Sequence, residues 1–91
     1  MALDAYARLE ERFARLAHLG DAAAILHWDM STMMPPGGAE ARGRQLAELH
    51  AVQHGILTDP STEDWLDGAE PDGAWAAANL AEMRRRWTHA T

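Results

Sequence analysis

His50 and His54 are four residues apart in the stretch ELHAVQHGIL. On a helix that spacing puts two imidazoles on one side, within reach of one metal ion. A zinc hydrolase centre also needs a third ligand and a general base. Between the two histidines stand only Ala51, Val52 and Gln53, and no third ligand follows at a recognisable spacing. The favoured reading is therefore two surface histidines near a helix C-terminus, with a small metal-binding bundle as the lesser alternative.

A second group lies upstream, in His27-Trp28-Asp29. His18, His27 and Asp29 hold the right atoms for a mixed metal site, but residues two apart on a helix face different sides. His27 reads as a histidine hydrogen-bonded among apolar neighbours, with a role as general base as the alternative. Asp29 in an apolar segment needs a partner or a proton. Arg42, just past the Pro35-Pro36-Gly37-Gly38 break, is the expected partner, so the pair reads as a pin between two helices. Trp28, Met30, Met33 and Met34 suit an adaptable peptide-binding patch but at helical spacing read first as core. The Pro-Pro-Gly-Gly segment lacks the glycine spacing and lysine of a phosphate loop. Ser31, Thr58, Ser61 and Thr62 fall near turns or caps, and none sits in a nucleophile elbow.

The elements that must position these residues are helical. Leu3, Tyr6, Leu9, Phe13, Leu16 and Leu19 recur at steps of three and four, which predicts a helix from about Ala2 to Leu19. Arg8, Glu11, Arg12 and Arg15 fall mainly on its opposite face. Gly20 is expected to end this helix and Asp21 to cap the next, which runs to about Met33. That second helix is apolar over most of its surface and so belongs between other helices. Pro35 and Pro36 stop it. A third helix is predicted from Ala39 to Leu57 and a short one over Glu63–Asp67, capped by Ser61 or Thr62. The last spans about Ala74–Thr88, with Trp75, Asn79, Leu80, Met83 and Trp87 on one stripe. The fold class is all-α, four or five helices in antiparallel hairpins.

Composition agrees. Ala dominates and β-branched aliphatics are scarce, which favours helix over strand. Ninety-one residues fit one domain, residues 1–91, with net stability of about 5 kcal/mol. The net charge of −6 argues against a nucleic-acid partner, and the basic run Arg84-Arg85-Arg86 is too short to reverse that. It sits instead near a helix C-terminus, where positive charge is favoured. No cysteine, no signal-peptide pattern and no long apolar span point to a cytoplasmic protein without a membrane partner.

The run HWDMSTMMPPGGAEAR, His27 to Arg42, followed by ILTDP and AANLAEMRRRWTHAT, resembles the N-terminal region of the Taq-type (thermostable) zinc metallocarboxypeptidases. The resemblance covers nearly the whole chain. It implies a largely helical, cytoplasmic, usually homodimeric carboxypeptidase that releases C-terminal residues from peptides. In such enzymes zinc is held by an H-E-x-x-H helix, and the N-terminal helices form part of the wall or lid of a deep substrate cleft. By resemblance, His27, Trp28, Asp29, Met34 and Arg42 belong to the hairpin of that wall. The two zinc histidines, the catalytic glutamate and the third ligand match no position here. The resemblance thus assigns this chain no catalytic, cofactor-binding or metal residue of its own. Zinc or another divalent metal, and the peptide substrate, belong to the parent enzyme. The chain reads as a fragment, inactive by itself, whose partner is the rest of the peptidase. The alternative is a stand-alone helical module that binds itself or a partner, with Trp75 and Trp87 at the contact.

Overall fold

The computed structural model describes residues 4–32 and 38–91, with side chains described for 4–28 and 40–91. Four helices make up the described chain: α1 (Ala5–Thr32), α2 (Gly38–Leu57), α3 (Pro60–Gly68) and α4 (Ala74–Ala90). The all-α expectation holds.

The N-terminal boundary is set by Asp4, whose Oδ1 accepts the Ala7 N–H at 2.7 Å, so α1 starts at Ala5 rather than Ala2. The two helices expected over residues 2–33 are one continuous helix of 28 residues. Gly20 does not cap it. Among the described residues only Gly73 has a positive φ, and so Gly20 keeps right-handed geometry. A helix-interior glycine costs up to about 1 kcal/mol relative to alanine, which is too little to break a helix with turns on both sides. What Gly20 provides is a low spot where α2 passes: a Cβ there would lie 3.5 Å from Gln53 Nε2.

Helix α3 begins on Pro60, where the missing N–H is no loss. Its cap is Asp59, not Ser61 or Thr62 as the pattern suggested, because Asp59 Oδ1 accepts both the Ser61 N–H (2.9 Å) and the Ser61 hydroxyl (2.6 Å). Thr62 is instead fully buried. Helix α4 starts after Gly73, whose φ of 93° suits glycine.

Register follows from the contacts. Gly20, Arg12, Arg8 and Ala5 on α1 meet Gln53, Ser61, Trp65 and Gly68 in turn. The intervals are eight, four and three residues on both sides. Thus α2 and α3 form one antiparallel partner to α1, bent at Asp59-Pro60. Helix α4 runs parallel to α1: Asn79 Nδ2 donates to Tyr6 Oη at 3.0 Å, and the Arg86 guanidinium lies 4.9 Å from the Phe13 ring centroid.

The core lies where all four helices meet. Leu9, Phe13, Leu16, Leu66 and Met83 are buried, with Ile56, Leu57, Trp65, Ala69, Leu80 and Trp87 packed around them. On α4 the inward stripe carries Ala76 rather than Trp75, which is 74% exposed. Steps of four from Trp87 back to Trp75 drift by about 40° each, which carries Trp75 off the buried face. Trp87, expected at a contact surface, packs on the core instead. Above residue 19, α1 and α2 continue as a two-helix projection. The molecule measures 51 × 28 × 24 Å, and its radius of gyration of 16.2 Å exceeds the roughly 12 Å of a compact chain this long.

Candidate functional site

The projecting part of α1 and α2 carries most of the residues singled out by sequence. Two depressions flank the seam between the helices. On one side Gly20, Ala23 and Ala24 of α1 and Leu46, His50 and Gln53 of α2 form a crevice of about 310 Å³, with His27 at its upper end. On the other side lies an apolar groove, made of two adjoining hollows of about 670 and 400 Å³ that share Leu26 and Leu49. Ala22 and Ile25 extend it along α1, Ala41 and Gln45 along α2, and Arg44 and Glu48 line it beside them.

His27 is exposed rather than enclosed by apolar neighbours. It shares its crevice with His50, which lies on the other helix. This cross-helix juxtaposition has no signal in linear spacing. His54, one turn beyond His50, is exposed and stands outside the crevice. His18 is exposed on α1, nine residues and so about half a rotation from His27. Among the described residues no group of three or more His, Asp or Glu side chains is placed to hold a metal ion. The donor set of the described chain therefore does not fit a peptidase metal centre.

Trp28 lines the groove and is 59% exposed, and Ile25 is 69% exposed. This half of α1 is thus not enclosed among helices of the described chain, and Trp28 is not core. Arg42 also lines the groove and donates from Nη1 to Gln45 Oε1 at 3.3 Å. The side chains of Asp29, Met30, Met33 and Met34 lie outside the described residues, and with them the Asp29–Arg42 pin. Arg44 pairs with Glu40 at 2.9 Å on the exposed surface of α2.

The projection is anchored by a residue that the pattern placed on the solvent face. Arg12 is four-fifths buried at its side chain. Its Nη1 donates to Ser61 Oγ (2.5 Å) and to Thr62 Oγ1 (2.9 Å), and its guanidinium lies over the Trp65 ring at 4.1 Å. The Thr62 hydroxyl in turn donates a hydrogen bond to the Ile56 carbonyl at 3.3 Å. The hydrogen bonds from Ser61, aided by the Arg12 charge 3.9 Å away, hold the Asp59 carboxyl below its usual range. Arg12 thereby fixes the α2–α3 bend against α1. The clue in the sequence was that Arg8 and Arg12 flank the Leu9-Phe13-Leu16 stripe by one helical step. The basic run on α4 is also spent on structure: Arg84 pairs with Asp67 at 3.0 Å and Arg85 with Glu82 at 2.6 Å. The Arg85 guanidinium holds the Glu82 carboxyl below its usual range, and Glu82 in turn raises the Arg85 pKa.

No described helix is long and apolar enough to cross a membrane.

Residues 8–91 match the family model described as carboxypeptidase Taq (M32) metallopeptidase. A relative from Thermus thermophilus, thermostable carboxypeptidase 1, is 35% identical over 92 residues. The matched region covers 94% of this chain and 18% of that relative. No solved structure matches.

Proposed function

This chain belongs to the carboxypeptidase Taq (M32) metallopeptidase family, and from that premise we propose that it forms an N-terminal helical wall or lid of a metal-dependent carboxypeptidase. The observation that carries this reading is the two-part build: a closed four-helix core at one end and an open two-helix projection at the other. A projection of this kind is suited to line a cleft whose reacting groups come from other parts of the polypeptide. The chain's own contribution is then shape and peptide binding. The divalent metal implied by the family would polarise the scissile carbonyl and activate water at ligands elsewhere in the enzyme. His27, Trp28, Asp29, Met34 and Arg42 are the proposed cleft-side residues.

The test is a peptidase assay on the 91-residue chain with added zinc or cobalt, beside a chimera in which it replaces the matching segment of the Thermus relative. The expected result is release of C-terminal residues by the chimera and none by the chain alone. Release by the chain alone overturns the proposal.

A stand-alone binding module is the second reading, favoured by the exposure of Ile25, Trp28 and Trp75. Sedimentation at high concentration separates the two, since a module of this kind associates and a detached lid stays monomeric.

A further inference from the structure

An aspartate directly followed by glycine occurs twice in the chain, at Asp67-Gly68 and Asp72-Gly73, and the two pairs stand in opposite surroundings. Asp67-Gly68 closes α3. For the Gly68 nitrogen to reach the Asp67 side chain, the Asp67 Cα–C bond would have to turn out of helical geometry, which the helix resists. The Asp67 carboxylate is also engaged, accepting from Arg84 Nη2 at 3.0 Å. Asp72-Gly73 lies in the link between α3 and α4, outside both helices, and both of its residues are exposed. Among the described residues the Asp72 carboxyl has no hydrogen bond or ion pair, and no protein acceptor takes the Gly73 N–H. Gly73 has no side chain to crowd its nitrogen, and even a Cβ there would meet nothing within 4 Å.

We infer that Asp72 is a self-modification site, at which the Gly73 backbone nitrogen closes on the Asp72 carboxyl and converts the residue to isoaspartate. The nitrogen attacks Cγ of the protonated carboxyl, and an N–Cγ bond forms. The carboxyl hydroxyl leaves as water with the amide proton, giving a five-membered imide. Water then opens the ring. Opening at Cγ restores aspartate. Opening at the main-chain carbonyl breaks the original Asp72–Gly73 peptide bond and leaves the chain running through Cβ and Cγ. No oxidant, reductant or co-reactant other than water takes part. The product lengthens the main chain by a methylene directly before the N-cap of α4. The Gly73 carbonyl accepts the Ala77 N–H at 3.1 Å and so sets the first turn of that helix. Displacing Gly73 loosens this turn, so the link carries a record of the age of the protein at the start of α4.

The 91-residue chain tests this without any variant. It is incubated at 37 °C near neutral pH, folded and in concentrated urea, and mapped by peptide mass spectrometry. Electron-transfer fragmentation separates isoaspartate from aspartate at each pair. In the folded chain Asp72 is expected to convert at least about tenfold faster than Asp67. In urea the two rates are expected to converge, since only the fold sets them apart. Equal rates in the folded chain overturn the inference. So does a folded Asp72 that stays unconverted while the urea sample converts, because the link then restrains the pair as a helix does. Asp72→Asn replaces water by ammonia as the leaving group and is expected to yield isoaspartate at the same position several-fold faster. A folded Asp72→Asn chain that keeps its amide also overturns the inference. In the purified isoaspartyl form the Ala77 amide is expected to exchange its hydrogen about threefold faster or more, and an unchanged rate overturns the coupling to α4.

Discussion

Arg12 lies over Trp65, its guanidinium carbon 4.1 Å from the ring centroid, while the same group donates hydrogen bonds to Ser61 and Thr62. One side chain from α1 thus holds the first turn of α3 from two directions. A cation near a helix N-terminus is disfavoured by the dipole. Here two hydroxyls, the Asp59 carboxylate and a π face outweigh that cost. Arg12→Ala is expected to destabilise the chain by about 2–3 kcal/mol, because it leaves the buried Thr62 without its donor and uncovers Trp65. Arg12→Lys is expected to recover less than half, since an ammonium cannot stack and fork at once. Urea denaturation followed by Trp fluorescence measures both.

Gly20→Ala is expected to stabilise the 91-residue chain by about 0.5–1 kcal/mol. The backbone there is right-handed and the new Cβ meets only the end of the Gln53 side chain at ordinary contact distance. Thermal melts decide the point, and a loss of about 1 kcal/mol is what a left-handed cap would give instead. Gly73→Ala has the opposite sign, because its φ of 93° is strained for any L side chain.

The Asp59 carboxyl has a folded pKa below its ordinary 3.8, chiefly through the Ser61 hydroxyl and N–H. The unfolded chain therefore binds the proton more readily. The stabilisation is full above the ordinary value and is lost as pH falls from there through the lowered folded value. Asp59→Asn keeps an acceptor for Ser61 but cannot titrate. The stability gap between parent and variant is expected to narrow below about pH 4, in denaturation curves taken from pH 6 to pH 2.

Leu66 is 2% exposed at the centre of the core. Leu66→Ala is expected to cost about 2–5 kcal/mol, a large share of the stability of a domain this size. Circular dichroism at 37 °C should show most of the helical signal lost.

The helical fold was legible because its cause is local. Periodic Leu, Phe and Met marked the buried faces of α1 and α4, and Pro60 and Gly73 marked breaks that tertiary packing did not override. Gly20 misled because a capping glycine and a helix-interior glycine are the same letter, and only the right-handed backbone at Gly20 separates them. Arg12 looked solvent-facing because its partners, Ser61, Thr62 and Trp65, lie some fifty residues away. The family was legible from the His27–Arg42 run, whereas the placing of His27 and His50 along one crevice depends on the α1–α2 register, which spacing within either helix does not encode.

Because α1 is unbroken from Ala5 to Thr32, the core and the projecting tip share one stiff rod. A tilt of about 10° at Leu16 would swing Thr32 by about 4 Å, given a rise of about 1.5 Å per residue. Small repacking around Arg12 and Trp65 is thereby geared up into displacement at the far end. The hinge of any such swing then belongs at the base of the molecule, not midway at Gly20.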